Sequence, residues 1–261
     1  MPRSSRRGPA PGAAANRRQQ AREQARLAAA AARRRRIMIQ VGVVTAVAAV
    51  VVGIVVTAAV IGRRSASEVG RAPVVDTTVT LGGAQVPFAV DGSAVRLGPA
   101  DAAATIDLWV DYSCPHCQDY EAANGPVLEQ LVAGGDVAVR YHNLQFVSRY
   151  GGTAGSAAAC VAAEDPQRWP AFNAALYANH SAATDGWSAA QFRDFAESQG
   201  VNEAAQECIG RSRYTGWITS GTADAAARGI TSTPTLQLNG QTVPTIGGQE
   251  LVDRVAQLAR G

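Results

Sequence analysis

The sequence contains no lysine, so all 24 of its lysine-or-arginine residues are arginines, a bias typical of GC-rich coding that says nothing about mechanism. Histidine and cysteine are also scarce, with three and four residues. A structural zinc site needs four such ligands at short spacings. The histidines and two of the cysteines are scattered singly along the chain, at His116, His142, His180, Cys160 and Cys208. We therefore predict no metal site.

Charge of either sign is absent from residues 37–61, and this gap separates two oppositely charged parts of the chain. Residues 1–36 contain eleven arginines and one acid, Glu23, which gives a net charge of +10. Residues 63–261 contain 13 arginines and 20 acids, which gives a net charge of −7. A basic segment, an uncharged segment and an acidic domain in this order are typical of a membrane-anchored protein.

The uncharged segment is long enough to cross a membrane. A helix from Ile37 to Ile61 would be roughly 37 Å long at 1.5 Å per residue, which exceeds the ~30 Å hydrocarbon core. The apolar region of a cleaved signal peptide is usually about 7–15 residues, so we predict an uncleaved transmembrane helix at 37–62. The arginines before it predict that residues 1–36 are a largely disordered cytoplasmic tail. We interpret this tail as a membrane anchor rather than a nucleic-acid-binding segment.

Cys114 and Cys117 form a Cys-x-x-Cys motif between a predicted strand, 103–110, and a predicted helix, 114–132. Two residues between cysteines at a helix N-terminus bring both sulfurs within reach of one disulfide. The first sulfur is expected to face solvent and the second to be covered by the helix turn. The unpaired N–H groups and the helix dipole favour a thiolate at Cys114. The motif therefore predicts a redox-active dithiol.

The two residues inside the motif suit the same chemistry. Pro115 fits the first helical turn because its φ is already helical and its missing N–H is not needed there. His116 places a second source of positive charge beside the Cys114 thiolate. We therefore assign Cys114, Cys117, Pro115 and His116 to the catalytic site.

The remaining patterns alternate between strand and helix around a helical block. After a polar linker at 63–75 they predict a hairpin, a strand, the redox helix, a strand, the helical block, a Thr-Pro dipeptide, a hairpin turning at Asn239-Gly240 and a closing helix. These elements fall at 76–90, 103–110, 114–132, 137–141, 151–228, 233–234, 235–244 and 248–260. We also predict a turn at 95–99 and a helix break at Gly125-Pro126.

This order resembles the thioredoxin fold in the form found in the DsbA family of extracytoplasmic thiol oxidases. Residues 114–117 match the family's Cys-Pro-His-Cys, Thr233-Pro234 stands where the family has a cis-proline loop, and residues 151–228 match its inserted helices. The resemblance covers about 76–261. It implies an α/β thioredoxin fold with an inserted all-helical subdomain. Together with the segment at 37–62, it indicates a membrane-anchored bacterial form, which we expect to be actinobacterial.

The resemblance implies an enzyme, a protein thiol:disulfide oxidoreductase that introduces disulfide bonds into exported proteins. Its partners would be unfolded exported proteins with cysteines and a quinone-linked membrane reoxidase of the DsbB or VKOR type. We expect a monomer without a cofactor, anchored in the cell membrane by one span with the catalytic domain outside. A thiol reductase or disulfide isomerase on the same fold and a non-enzymatic anchored binding module are the alternatives. The redox potential and the reactivity of Cys114 separate them.

The resemblance and the expected compartment also imply roles for two further pairs of residues. Thr233 and Pro234 are implied as substrate-binding residues, since a cis bond between them would present backbone groups to an extended substrate. Cys160 and Cys208 both lie in the predicted insertion, and an oxidising compartment favours one structural disulfide between them. A second redox pair at these positions is the alternative.

One position departs from the family pattern. Proteins with this fold often carry a buried carboxylate six residues before the first cysteine, where this chain has Leu108. Asp107 and Asp111 are close in sequence, but the two-residue period of a strand predicts that they point to the other face. We therefore assign no catalytic carboxylate from the sequence.

Overall fold

The computed structural model describes residue 38 and residues 70–260. The predicted tail at 1–36 lies outside the described residues, as does the predicted transmembrane helix at 37–62 apart from residue 38. Among the helices that are described, none combines the length and apolar character needed to cross a membrane.

A seven-stranded sheet lies at the centre of the fold, with its strands in the order β1-β2-β3-β5-β4-β6-β7. The strands are β1 Asp76–Leu81, β2 Ala84–Asp91, β3 Ala94–Leu97, β4 Ala104–Val110, β5 Val137–Asn143, β6 Thr235–Leu238 and β7 Gln241–Val243. β4 and β5 run parallel, and the other neighbouring strands are antiparallel. β4 is an interior strand that ends just before the cysteine motif, so the sheet fixes where the motif begins.

Helices cover the sheet and form a block between β5 and β6. They are α1 Pro115–Ala133, α2 Arg149–Glu164, α3 Trp169–Asn179, α4 Ala189–Ser198, α5 Glu203–Gly210, α6 Thr215–Ala227 and α7 Gly248–Leu258, with a short 3-10 helix at Pro166–Arg168. The helices α2 to α6 follow one another without an intervening strand. The predicted α/β fold with a helical insertion is therefore confirmed.

Side chains of β4 alternate between two environments. Ile106, Leu108 and Val110 belong to the main hydrophobic core, which also contains Leu128 of α1. Trp109 belongs to a separate small cluster that includes Ala225 of α6. The cysteine motif therefore continues from a strand whose two faces are covered by different helices.

Two local predictions were wrong. The segment predicted as a turn at 95–99 contains β3, because Val95 and Leu97 are buried and pair with β2 and β5. The turn begins only at Gly98, whose φ is +102° and where a Cβ would lie 2.2 Å from the Val137 carbonyl oxygen. The helix break predicted at Gly125-Pro126 is also absent, since α1 continues through Pro126 and buries Leu128 in the core.

A disulfide between Cys160 and Cys208 joins α2 to α5 inside the helical block, with the two Cα atoms 5.6 Å apart. Both residues are buried. The pair expected from the compartment argument is therefore present as one bond, and it lies within the inserted helices.

Candidate dithiol active site

The cysteine motif is built at the junction of β4 and α1. Cys114 is the N-cap residue of α1, with an extended backbone at φ −85° and ψ 119°, and Pro115 is the first helical residue. The N–H groups of Cys117 and Gln118 both donate to the Cys114 carbonyl oxygen at 3.0 Å. The Cys114 sulfur therefore stands at the positive end of the helix, where a negative charge is favoured.

Both cysteines of the motif are free thiols, and both are largely buried. Cys114 is 4% exposed and Cys117 is 1% exposed, so the first sulfur is less open to solvent than the sequence predicts. Burial raises the pKa of the Cys117 thiol well above its ordinary value, and the neighbouring Cys114 adds a smaller effect in the same direction. Cys117 is therefore held in its protonated form near neutral pH.

The Thr233-Pro234 loop lies against Cys114. The peptide bond between these two residues is cis, as the sequence predicts. The Cys114 sulfur donates a hydrogen bond to the Thr233 carbonyl oxygen at 3.3 Å. This juxtaposition follows from the sheet, because the register that pairs Trp109 of β4 with Thr235 of β6 brings the loop before β6 to the end of β4.

Pro115 and His116 are exposed on the first turn of α1. Both therefore form part of the surface that surrounds the Cys114 sulfur.

Asp111, which the sequence predicts only to point away from the face of Leu108, is fully buried and directly follows β4. Its carboxylate accepts hydrogen bonds from the Ser113 N–H at 2.7 Å, the Ser113 hydroxyl at 2.6 Å, the Phe146 N–H at 2.6 Å and the Val147 N–H at 2.9 Å. Gly151 packs against it so closely that a Cβ there would lie 2.0 Å from Asp111 Oδ1. Asp111 thus ties the start of the motif to the segment after β5. The serine two residues later was the available signal, since aspartate side chains often bond nearby backbone in this way.

Glu121 is a second buried carboxylate that sequence reasoning missed. It lies on α1 one turn after Cys117, and Asn173 Nδ2 donates to its Oε1 at 3.0 Å. The Tyr112 hydroxyl donates to Asn173 Oδ1 at 2.7 Å. Burial, with a smaller effect of Glu129, raises the pKa of Glu121 to about 7, although the Asn173 hydrogen bond opposes the shift. The sequence carried no local signal for it, because its hydrogen-bond partner Asn173 comes from another helix.

Asp107 lies on the other face of β4, as predicted. Its Oδ1 is 2.8 Å from His142 Nε2 and 3.4 Å from Arg140 Nε. The His142 ring stacks on Trp109 with the ring centroids 3.8 Å apart, and its Nδ1 is 3.1 Å from the Ser93 hydroxyl. Burial lowers the pKa of His142. His142 is therefore part of a buried polar cluster on the side of the sheet away from Leu108.

A family model described as thioredoxin matches residues 91–254. The chain belongs to the thioredoxin family. The match runs from the end of β2 into α7, so it includes the cysteine motif, the helical insertion and the cis-proline loop.

Solved structures similar to this thioredoxin-family chain include several from actinobacteria. Reduced DsbA from Mycobacterium tuberculosis aligns with a TM-score of 0.55 and 24% identity, over 65% of this chain and 94% of that chain. The reduced disulfide bond oxidoreductase DsbG from the same organism aligns with a TM-score of 0.57 and 25% identity, over 65% of this chain and 89% of that chain. The thiol-disulfide oxidoreductase MdbA from Corynebacterium matruchotii aligns with a TM-score of 0.56 and 21% identity, over 69% of this chain and 92% of that chain. These likenesses establish the fold of the DsbA group.

The curated relatives that match are much longer proteins. The serine/threonine-protein kinase PknE of Mycobacterium tuberculosis is 29% identical over 136 residues, which cover 48% of this chain and 24% of that protein. The chain thus spans about a quarter of the length of the curated relatives it matches. The similarity is confined to that quarter, and the kinase activity is not carried over.

Proposed function

We propose that this protein is an extracytoplasmic thiol:disulfide oxidoreductase that introduces disulfide bonds into exported proteins. The observation that carries the proposal is the placement of the two free thiols at the N-terminus of α1, with Cys114 3.3 Å from the carbonyl oxygen of the cis-proline loop. The structural neighbours named as thiol-disulfide oxidoreductases support it, as does membership of the thioredoxin family.

The reaction begins with the Cys114–Cys117 pair as a disulfide. A substrate thiolate attacks the Cys114 sulfur, the bond between the two cysteines breaks, and the Cys117 sulfur leaves and takes up a proton. A second substrate thiolate then attacks the substrate sulfur of the mixed disulfide, and Cys114 leaves as a thiolate. The substrate has lost two electrons and gained a disulfide, and the enzyme has become a dithiol. Cys114 is the sulfur attacked because Cys117 is the more deeply buried of the two.

The surface around Cys114 suits unfolded chains better than a small molecule. The Thr233 and Pro234 backbone offers partners to an extended segment. The Val147 N–H donates to Asp111, which lies three residues before Cys114, so Val147 is close to the start of the motif. Its side chain is 56% exposed and adds apolar surface there. We therefore propose unfolded exported proteins with cysteines as substrates of a monomeric enzyme, without a nucleic acid partner or a cofactor. A quinone-linked membrane protein of the DsbB or VKOR type would reoxidise it.

The redox potential tests this function against its alternatives. Full-length protein in detergent is equilibrated with glutathione buffers, and the Cys114–Cys117 state is read by thiol trapping and mass. An oxidase is expected to have a potential well above thioredoxin's, which is about −270 mV. A value near thioredoxin's would favour a reductase, and faster repair of a scrambled protein than oxidation of a reduced one would favour an isomerase. A pair that does not exchange would indicate a binding module.

Replacing His116 with leucine is expected to lower the potential. The positive charge that His116 offers favours the Cys114 thiolate, and thiolate stabilisation favours the reduced enzyme. A tenfold loss of thiolate relative to thiol corresponds to about 1.4 kcal/mol, or about 30 mV for a two-electron couple. His116→Gln keeps a hydrogen-bond donor and should lose less. Equal potentials in wild type and His116→Leu would remove His116 from the site.

We also propose one membrane span at 37–62, with residues 1–36 in the cytoplasm and the catalytic domain, residues 76–261, outside beyond the linker at 63–75. The support is the charge reversal across the uncharged segment. Protease added to intact cells should digest the domain and spare the tail, as detected with tags at each end. A mature protein that begins after residue 62 and is released would contradict the anchor.

A further inference from the structure

His142 is the middle member of a chain of three hydrogen-bonding side chains that the dithiol chemistry does not use. The Ser93 hydroxyl is 3.1 Å from His142 Nδ1, and His142 Nε2 is 2.8 Å from Asp107 Oδ1. A carboxylate only accepts hydrogen bonds, so Nε2 carries a proton and Nδ1 presents its lone pair to the Ser93 hydroxyl. A hydroxyl, a base and a group that orients the base are the parts of an activated nucleophile.

The His142 ring has one defined orientation. It is buried, and it stacks on Trp109 with the ring centroids 3.8 Å apart and the planes 10° from parallel. In the serine proteases Nε2 faces the serine and Nδ1 faces the aspartate, whereas here the two nitrogens are exchanged. Either nitrogen of a neutral imidazole accepts a proton when the other donates to a carboxylate, so the exchange leaves the three roles unchanged.

Ser93 lies at the wall of a cavity, which a nucleophile requires. It belongs to the turn between β2 and β3, and Trp217 Nε1 of α6 holds that turn by donating to the Gly92 carbonyl oxygen at 3.0 Å. The cavity has a volume of about 300 Å³ and is lined by Ser93, His142, both tryptophans and Arg140. A volume of this size accepts a small ligand. Among the residues that the structure describes, Arg140 Nε is buried without a hydrogen-bond partner, so the wall also offers a cation with a free donor.

The protonation state of His142 suits a general base. Burial lowers the pKa of His142, and the hydrogen bond to Asp107 opposes the shift. The charged groups that face the ring or line the cavity come from β2, β4, β5, α6 and the residue after α6, and they are Asp91, Asp107, Arg140, Asp224 and Arg228. A histidine with a lowered pKa is neutral at neutral pH, so Nδ1 can accept a proton there.

We propose that Ser93, His142 and Asp107 form a second active site, which hydrolyses small carboxylic esters on the face of the sheet away from Leu108. Ser93 Oγ attacks the ester carbonyl carbon while its proton passes to His142 Nδ1. The bond to the alcohol oxygen breaks, and the alcohol leaves with that proton. Water then attacks the acyl group on Ser93 and gives a proton to Nδ1. The acid leaves as the proton returns to Ser93 Oγ, so the sum is ester plus water to acid plus alcohol.

The test uses full-length protein in detergent with Cys114–Cys117 held as a disulfide, so that these thiols cannot react with the reagents. A fluorophosphonate, which reacts with activated serines, should label Ser93, as located by peptide mass analysis. Ser93→Ala and His142→Gln should each hydrolyse p-nitrophenyl acetate at least about a hundredfold more slowly than wild type. Ser220→Ala removes an exposed serine from the same cavity wall and should behave like wild type in both assays.

The pH dependence of labelling tests the base separately. The labelling rate of wild type is measured between about pH 5 and 8. Only the neutral imidazole accepts a proton, so the rate should be constant at neutral pH and fall in acid. Because burial lowers the pKa of His142, the inflection is expected below the ordinary value of about 6.5.

Wild type without label on Ser93 would overturn the second site, as would a Ser93→Ala protein with the wild-type rate of hydrolysis. Should His142→Gln fold poorly, the pH profile of wild type decides, since a labelling rate that does not change with pH would overturn the role of His142. The potential of the Cys114–Cys117 pair is measured independently of these assays. Failure of the second site therefore leaves the proposed dithiol function intact.

Discussion

Cys114→Ser is expected to abolish the oxidation of protein thiols, whereas Cys117→Ser is expected to accumulate mixed disulfides with substrates. Cys114 is the sulfur at the helix N-terminus and beside the Thr233 carbonyl, so it is the atom that a substrate thiolate reaches. Cys117 lies beneath it, and without Cys117 the enzyme cannot release a bound partner by closing its own disulfide. Activity is measured by the refolding of a reduced protein substrate.

The mixed disulfides distinguish the roles of the two cysteines more directly than the refolding assay does. Cys117→Ser isolated from cells should carry higher-mass species on non-reducing gels, and these should disappear on reduction. The double variant Cys114→Ser/Cys117→Ser is the matched control, since the Cys160–Cys208 disulfide is intact in it and no adducts should form. Adducts on Cys114→Ser instead of Cys117→Ser would reverse the assignment of the attacked sulfur.

Removing the Cys160–Cys208 disulfide is expected to cost about 4 kcal/mol of unfolding free energy. The bond closes a loop of 48 residues, and the loop-entropy model gives roughly 3–5 kcal/mol for loops of about 15–100 residues. It joins α2 and α5 within the helical block, so its loss acts on a region separate from the dithiol motif. The Cys160→Ala/Cys208→Ala variant should unfold at a lower urea concentration, with a roughly thousandfold change in the folding equilibrium.

The same variant separates stability from redox chemistry. Its Cys114–Cys117 pair should retain the wild-type equilibrium with glutathione, because the motif is held by β4, α1 and the cis-proline loop. In wild type, mild reduction followed by mass analysis should open the Cys114–Cys117 disulfide first and leave the second bond intact. Free thiols at Cys160 and Cys208 in freshly isolated protein, or an unchanged urea midpoint in the variant, would contradict a stabilising disulfide.

The two errors in the predicted fold arose where the local preferences of glycine and proline compete with the burial of nearby apolar side chains. Residues 95–99 end in Gly-Pro, which favours a turn, but Val95 and Leu97 are buried and add a strand to the sheet. Pro126 removes one backbone hydrogen-bond donor from α1, but the burial of Leu128 in the core stabilises the helix beyond it. In both cases the outcome depends on neighbouring strands and helices that short-range patterns do not include.

The sequence by itself determined the dithiol motif, because cysteine spacing and a helix start are local features. It also determined the α/β order with a helical block, since hydrophobic periods differ between strands and helices. The approach of Thr233 to Cys114, 119 residues away, was decided by the pairing of β4 with β6. The roles of Asp111 and Glu121 were likewise decided by tertiary structure. The hydrogen bonds of these two carboxylates depend on groups that are distant in sequence, which come from the segment after β5 and from α3.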